Sequence, residues 1–268
     1  MLKTHGVRLV AFAVLAALPN LSAACEGLRE GPVSVVVAVN DGDTVSLDNG
    51  LKVRLIGMQA PKLALGRPDF PDWPKAGEAK ARLEALTLGQ PVRLAYGGTE
   101  RDRYGRALAQ MFVVGTPEIW VQQAMLAAGM GRVYAFPDNR KCLVELFGAE
   151  STARTNKLGI WSDPYYSVRL AENPQAIADR AGHFELVEGR VLKAEKAGTR
   201  IFLNFGRLWK EDFTAVIDGP AVGLFAADKI DPLQLQGVLV RIRGWVDDRD
   251  GPRILITHPE QIEVLAAR

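Results

Sequence analysis

Residues 33–56, VSVVVAVNDGDTVSLDNGLKVRLI, decide the fold of the first half of the chain. The run 33–39 consists largely of valine and predicts a strand, because β-branched side chains fit a pleated sheet. Residues 44–47 and 51–56 form two further strand-like runs, and Asp-Asn-Gly at 48–50 is typical of a tight hairpin turn. The stretch therefore predicts three strands at the start of a β-rich domain.

Downstream of these strands the pattern becomes partly helical. Two more strands are predicted at Pro91–Tyr96 and Ala107–Val114, on either side of a glycine-containing loop. Apolar residues at helical spacing predict helices over Glu78–Leu88, Ile119–Ala128 and Lys141–Thr155. Strands followed by helices with short connections favour a mainly β (α+β) domain, a small barrel capped by helices, over residues 25–162.

The second half of the chain is again rich in strands. Residues 163–182 lack a clean period and contain two prolines, which predicts a linker. Residues 183–268 contain five or so strand-like runs, with one helical piece near Ala221–Ala227 before the fourth. This order fits a small OB-like β-barrel, with an SH3-like barrel as the alternative.

The N-terminus has the pattern of an export signal. Lys3 and Arg8 precede the apolar run LVAFAVLAAL at 9–18, and small residues follow at 22–24. Ten apolar residues are about half of the roughly 20 that a transmembrane helix needs. We therefore expect a signal peptide over residues 1–24, a periplasmic or secreted protein, and no transmembrane segment in the mature chain.

The two cysteines allow several arrangements. Cys25 directly follows the small residues, so it is a candidate for a lipid anchor. In an exported chain it could instead form a disulfide with Cys142, and two free thiols are the third alternative. The sequence does not choose between them.

Charge and composition exclude several function classes. The net charge is +2 and includes Lys3 and Arg8, so the rest of the chain is balanced and any attraction to phosphate must be local. Only His183 and His258 lie beyond the predicted signal peptide, and no CxxC or phosphate-binding glycine loop is present. A histidine-based zinc site and a Ser-His-Asp triad are therefore not expected.

Three local features of the first domain could carry chemistry. Carboxylates at 41 and 43, in Asp-Gly-Asp-Thr between two strands, can hold a hard cation through oxygen. Arg54 alternates with apolar neighbours in a strand, and residues 102–106, DRYGR, open another strand. Two arginines can grip phosphate oxygens in a bidentate manner, and a tyrosine adds a hydroxyl or a stacking face.

Together these motifs resemble the thermonuclease (staphylococcal nuclease-like) family over residues 33–161. The similarity rests on their order: DGDT, an arginine strand leading to xAP at 59–61, Gly-Glu-Ala at 77–79, DRYGR, and LGIW at 158–161. The resemblance implies an OB-type five-stranded barrel capped by helices. It also implies calcium-dependent hydrolysis of DNA or RNA phosphodiesters.

The resemblance assigns roles to particular residues. It implies calcium binding at Asp43 and Asp41, stabilisation of the phosphoryl transition state by Arg54 and Arg106, and contacts to phosphate or substrate by Arg103, Tyr104 and Tyr134. Gln59 and Lys62 depart from the family, which has an aspartate ligand and a glutamate general base at these positions. Calcium binding should therefore be weakened, and Lys62 makes the pocket more suited to holding phosphate than to cleaving it.

Two sets of residues are alternative candidates. Asp69, Asp72 or Glu78 could replace the missing carboxylate, although each is more typical of a loop or a helix start. In the second domain, Arg200, Arg241, Arg243 and Trp245 combine basic and aromatic side chains, which OB barrels use for oligonucleotides. That domain is not basic overall, so a structural role is favoured there.

Three functions follow from these observations. The chain is expected to be an exported phosphodiesterase with altered metal and base residues. The alternatives are a binding protein that holds DNA, RNA or another polyanion without cleaving it, and an envelope protein whose second barrel docks a partner.

Overall fold

The computed structural model describes residues 25–265, so the predicted signal peptide lies outside the described residues. The first half of this range folds around eight strands and three helices. The strands are β1 (Arg29–Asp41), β2 (Thr44–Leu47), β3 (Lys52–Leu55), β4 (Gly57–Gln59), β5 (Pro91–Tyr96), β6 (Ala107–Val113), β7 (Ile119–Trp120) and β8 (Arg132–Tyr134). The helices are α1 (Ala76–Thr87), α2 (Val121–Ala127) and α3 (Leu143–Thr155).

Five of these strands close into a barrel. The hydrogen-bonded order is β3-β2-β1-β5-β6, and β3 also pairs with β6 in parallel, which closes the sheet on itself. Register shifts in β1 around Ala38 and Asn40 mark bulges, which bend the strand so that it can pair with both β2 and β5. The predicted OB-type barrel capped by helices is confirmed.

The barrel core positions the Asp-Gly-Asp turn against helix α1. Alternate valines of β1, β2 and β3 point inwards, and Ala79 and Leu83 of α1 pack on them. A Cβ atom at Gly42 would lie 2.6 Å from the Cβ of Ala60 and 3.0 Å from that of Ala79. Glycine at position 42 is therefore required for the turn to approach the helix so closely.

The second half of the described chain forms another curled sheet. Its strands are β10 (Phe184–Arg190), β11 (Lys193–Ala197), β12 (Arg200–Asn204), β13 (Thr214–Ile217), β14 (Leu239–Asp248), β15 (Pro252–Ile256) and β16 (Ile262–Val264). The order is β11-β12-β13-β15-β14-β10, with β13 and β15 parallel. Strands β11 and β10 stand at the two ends of this order, although only two residues separate them in the chain. The sheet therefore curls on itself. Helix α5 (Gly219–Ala227) precedes β14, as predicted for an OB-like barrel.

Two segments differ from the sequence-based expectation. The predicted linker 163–182 contains strand β9 (Arg169–Leu170), which pairs with β10, and helix α4 (Pro174–Ala178), which buries Ile177 in the second core. The division into domains therefore stays a prediction. The helix predicted from Ile119 begins at Val121, because Ile119–Trp120 pair with β6 as strand β7.

The two barrels meet in a buried polar seam. Arg243 of β14 is 2% exposed and donates to the carboxylate of Glu150 in α3 at 2.9 Å and to the carbonyl oxygen of Val133 at 3.0 Å. The Tyr166 hydroxyl donates to the carbonyl oxygen of Pro74 at 2.6 Å. These contacts join the second barrel to the helical side of the first.

The two cysteines of the chain are paired. Cys25 and Cys142 form a disulfide across 117 positions of sequence, which is one of the three arrangements that the sequence left open.

The described helices include none with the length and apolar character needed to span a bilayer.

Candidate functional site

The Asp-Gly-Asp turn places two carboxylates inside the barrel wall. Asp41 ends β1 and Asp43 directly precedes β2, and the two residues are 6% and 1% exposed. The sequence marked these carboxylates by their position between two strands. Their burial comes from the tight contact of Gly42 with Ala60 and α1.

Asp43 is held by two cations and a backbone amide. Its Oδ2 lies 2.7 Å from Nζ of Lys62, 3.0 Å from the N–H nitrogen of Ala60 and 3.3 Å from Nη2 of Arg54. Burial opposes ionisation of Asp43, but the charges of Arg54 and Lys62 and the hydrogen bonds outweigh it and lower its pKa to about 2. The carboxylate is therefore ionised and already neutralised by side chains of this chain.

Arg54 is committed to the same cluster. The residue is 6% exposed, and its guanidinium donates to the carbonyl oxygen of Leu55 and, at 2.8 Å, to that of Met58. Together with Asp43, these acceptors engage Nη1 and Nη2, the groups whose N–H donors would grip a phosphate. We call Asp41, Asp43, Arg54 and Lys62 the carboxylate cluster.

Asp41 completes this cluster at a longer distance. Its Oδ2 lies 4.0 Å from Nζ of Lys62, and its Oδ1 accepts the N–H of Gly42 at 2.7 Å. Burial and the neighbouring carboxylate of Asp43 raise the pKa of Asp41, although Lys62 partly offsets them. Lys62 thus lies near two carboxylates, and it is closer to that of Asp43 than to that of Asp41.

The residues present do not fit a calcium ion. Calcium is bound by six to eight oxygens and gains affinity from carboxylates. Here the ammonium group of Lys62 lies 2.7 Å from Oδ2 of Asp43 and already neutralises this carboxylate, and Gln59 offers an oxygen without a charge. Within residues 25–265, no three His, Cys, Asp or Glu side chains are grouped as metal ligands.

The DRYGR segment forms a separate, exposed loop. Asp102 accepts the N–H groups of Tyr104 at 2.9 Å and Arg106 at 3.0 Å, and its Oδ2 accepts Nε of Arg106 at 2.7 Å. Tyr104 is 68% exposed, and the guanidinium of Arg103 lies 4.8 Å from its ring centre. Asp102, which the sequence reasoning gave no role, is the residue that shapes this loop. We call residues 102–106 the DRYGR loop.

The two predicted catalytic arginines have different partners. Arg54 pairs across the sheet with Leu108, and Arg106 lies two positions before that residue. Arg106 forms an ion pair with Asp102, whereas Arg54 lies 3.3 Å from Asp43. Arg103, Tyr104 and Arg106 thus lie in one loop, and the joint action of Arg54 and Arg106 on a phosphate stays a prediction.

Tyr134 faces the second barrel. Its ring makes edge contacts with those of Phe136 and Phe184, at centroid distances of 5.2 and 5.3 Å. It lines a cavity of about 310 Å³ at the seam between the barrels, together with Trp245 and His258. The predicted role of Tyr134 beside the substrate has no support from contacts with the carboxylate cluster.

The remaining candidates stand outside the carboxylate cluster. Asp72 accepts the N–H of Ala64 at 2.5 Å, Glu78 pairs with Lys75 at 3.1 Å, and Asp69 is exposed. In the second barrel, Arg241 pairs with Glu188 and Glu263, and Arg243 with Glu150 and Glu263. These acidic partners lie far away in sequence, and no local signal identifies them.

Comparison with known proteins agrees with this architecture. Residues 52–163 match the family model described as staphylococcal nuclease homologue. The thermonuclease of Staphylococcus hyicus is 30% identical over 131 residues, which are 48% of this chain and 75% of that protein. Endonuclease YncB of Bacillus subtilis is 33% identical over 47% of this chain and 60% of its own length. The micrococcal nuclease of Shigella flexneri is 30% identical over 48% of this chain and 73% of its own length. The chain therefore belongs to the staphylococcal nuclease family.

Proposed function

We propose that this protein is an exported nucleic-acid-binding member of the nuclease family in which calcium-dependent hydrolysis of phosphodiesters is impaired. The contact between Nζ of Lys62 and Oδ2 of Asp43, at 2.7 Å, carries this proposal. It places a cation of the chain itself on the carboxylate that the family uses for its metal. A bound metal would have to displace this ammonium group from a buried partner.

The same substitution removes the general base. A glutamate at position 62 could accept a proton from water, whereas an ammonium group hydrogen-bonded to Asp43 has no free electron pair. Loss of a positioned general base typically lowers the rate by about 10²–10⁴-fold. Gln59 adds to this effect, because it contributes an oxygen without a charge.

Binding of nucleic acid is supported by the DRYGR loop. Tyr104 and Arg103 lie in solvent, and both arginines of the loop lie near the tyrosine ring, at 4.8 and 5.6 Å from its centre. Proteins hold single-stranded nucleic acids through cations that contact the phosphates and aromatic faces on which the bases stack. This loop needs neither a metal nor a base to act as a binding surface.

Export is supported by the disulfide between Cys25 and Cys142. Disulfides persist in oxidising compartments and are rare in the reducing cytosol. Pairing also occupies the Cys25 sulfur that a lipid anchor would need, which favours a periplasmic or secreted protein without that anchor. Cell fractionation with alkylation of free thiols tests this step. Recovery of reduced protein from the cytosol would contradict it.

A cleavage assay tests the proposed loss of hydrolysis. Purified protein is incubated with single-stranded DNA and RNA, with and without Ca²⁺, beside the double variant Gln59→Asp/Lys62→Glu. We expect the double variant to cleave at least about 10²-fold faster than the unaltered protein in calcium.

Lys80→Glu is the matched control for the charge change. Lys80 lies on α1 and pairs with Glu84 at 3.6 Å, outside the carboxylate cluster, so the variant should gain no cleavage. Rapid calcium-dependent cleavage by the unaltered protein, at the rate of the double variant, would overturn the proposal. Absence of cleavage by both proteins, with the double variant folded, would show that more than these two groups has been lost.

A further inference from the structure

The outer face of the second barrel carries a groove. Strands β12 and β13 are paired so that Phe202 lies opposite Val216, while Ile201 and Leu203 point into the core. Above this face, the β12–β13 loop and the β14–β15 turn enclose a cavity of about 440 Å³. In OB barrels the face of the second and third strands, with its flanking loops, is the usual ligand surface. We call this cavity the outer groove.

An exposed tryptophan stands at the edge of the outer groove. Trp209 is 56% exposed, whereas Trp73 and Trp120 are 6% and 5% exposed. Nζ of Lys210 lies 5.2 Å from its ring centre, so a cation accompanies the aromatic face. An indole that the fold leaves in solvent beside Phe202 offers a platform on which bases can stack.

The arginines of the outer groove make it locally basic. Arg200 is exposed, and its guanidinium forms no hydrogen bond or ion pair with any other described side chain. Arg249 and Arg253 share one carboxylate, that of Asp247, at 2.9 and 3.2 Å, so together they keep an excess of positive charge.

The acidic residues of the groove do not cancel this charge. Glu195 pairs with Lys193 at 2.5 Å and also accepts Nδ2 of Asn204 at 3.0 Å. Asp250 is the other carboxylate in the lining. Within the lining itself, three arginines face two carboxylates, those of Glu195 and Asp250.

We propose that the outer groove binds single-stranded nucleic acid. Arginines would neutralise backbone phosphates while Trp209 and Phe202 stack on bases, which a duplex keeps inside its helix. A sulfated polysaccharide could also use the arginines, but its saturated sugar rings lack the aromatic face with which a base stacks on the indole. The groove lies on the other barrel from the carboxylate cluster, so its binding does not depend on the function proposed for the first barrel.

Binding of a labelled oligothymidylate of about 12 nucleotides, followed by anisotropy at several salt concentrations, tests the outer groove. Trp209→Ala should weaken binding by about 5- to 150-fold, the range for loss of one base–aromatic stack. Arg200→Gln should also weaken binding and lower the slope of log K against log salt by about 0.7. Heparin is the competing ligand, and if the groove binds single strands by base stacking, heparin should lose less affinity than the oligonucleotide does on Trp209→Ala.

Two exposed positions outside the groove lining provide matched controls. Leu208→Ala alters an apolar neighbour in the same loop, and Arg190→Gln removes an exposed arginine whose Nη1 donates to the carbonyl oxygen of Gly237 at 2.6 Å. Both controls should bind the oligonucleotide as the unaltered protein does. Binding of a folded Trp209→Ala variant at full affinity would overturn the proposal.

The variant Arg103→Ala/Tyr104→Ala separates this inference from the proposed function. If it abolishes oligonucleotide binding while the groove variants bind normally, the groove is refuted and the first barrel is the binding site. If groove variants alone abolish binding, the groove stands and binding by the first barrel is refuted.

Discussion

The two barrels differ in where their buried and their exposed arginines lie. In the first barrel, Arg54 is turned into the carboxylate cluster, and the exposed Arg103 belongs to the DRYGR loop. In the second barrel, Arg243 is buried at the seam against Glu150, and the exposed Arg200 stands on the outer face. Each barrel thus has one arginine that holds the fold together and another that remains available to a ligand.

The difference lies in the acidic partners and not in the strand pattern. Arg54 and Arg243 both sit in strands between apolar residues, which suggests exposure on a polar face. Both are buried because a carboxylate from another segment meets them, Asp43 in one case and Glu150 in the other. The alternation of an arginine with apolar residues therefore indicates which face of the sheet the arginine occupies. It does not indicate whether that arginine is exposed to a ligand.

The largest expected effect is on the buried arginine of the seam. Arg243→Ala would leave the carboxylate of Glu150, which is also fully buried, without its strongest partner. We expect a loss of about 3–5 kcal/mol in the free energy of unfolding, measured by urea denaturation.

Two further variants sharpen this test. Arg243→Met/Glu150→Gln removes both charges of the pair and should recover part of the loss, because the carboxylate of Glu150 is no longer left buried without Arg243. Arg190→Ala, at an exposed arginine, should change stability by less than about 1 kcal/mol. A similarly small loss in Arg243→Ala would show that the seam does not depend on this pair.

The carboxylate cluster should give the next largest effect, as a dependence of stability on pH. The folded pKa of Asp43, about 2, is below its ordinary value of 3.8, so the unfolded chain takes up a proton first as pH falls. Its stabilisation is complete above about pH 4 and is lost towards pH 2. The shift corresponds to roughly 2 kcal/mol.

Asp41 acts with the opposite sign, because its raised pKa means that protonation favours the folded state. The measurement is urea unfolding at pH 6 and pH 2.5 for the unaltered protein, Asp43→Asn and Asp41→Asn. Asp43→Asn should lose less stability on acidification than the unaltered protein, and Asp41→Asn should lose more. Equal losses in all three would mean that the cluster does not titrate as its contacts require.

Much of the fold could be predicted because it depends on local patterns. The valine run, the Asp-Asn-Gly turn and the glycines fix strands and turns within a few residues of themselves. Strand β7 was missed because a two-residue strand leaves no period, and α4 because five residues with a proline resemble a loop. Short elements are stabilised by the sheet that they join, and a local pattern does not record that sheet.

The sequence predicted which residues belong to the candidate site, but not all of the contacts that they form. The motif order identified Asp43, Arg54 and Lys62 as neighbours, and the structure brings them within hydrogen-bonding distance. The ion pair of Arg106 with Asp102 could not be predicted, because it depends on how the loop closes. Trp209 was missed since exposure of a single aromatic residue has no sequence signature.

The smallest expected effect is on the exposed tyrosine of the DRYGR loop. Tyr104 is 68% exposed, so Tyr104→Ala should change the free energy of unfolding by no more than about 0.5 kcal/mol. If the loop binds single strands through the ring, affinity for an oligonucleotide should fall by at least about fivefold. Tyr104→Phe keeps the ring and should retain affinity. Loss in both variants would assign the contact to the hydroxyl group, whereas loss in neither would leave the first barrel without an exposed aromatic contact and break its likeness to the outer groove.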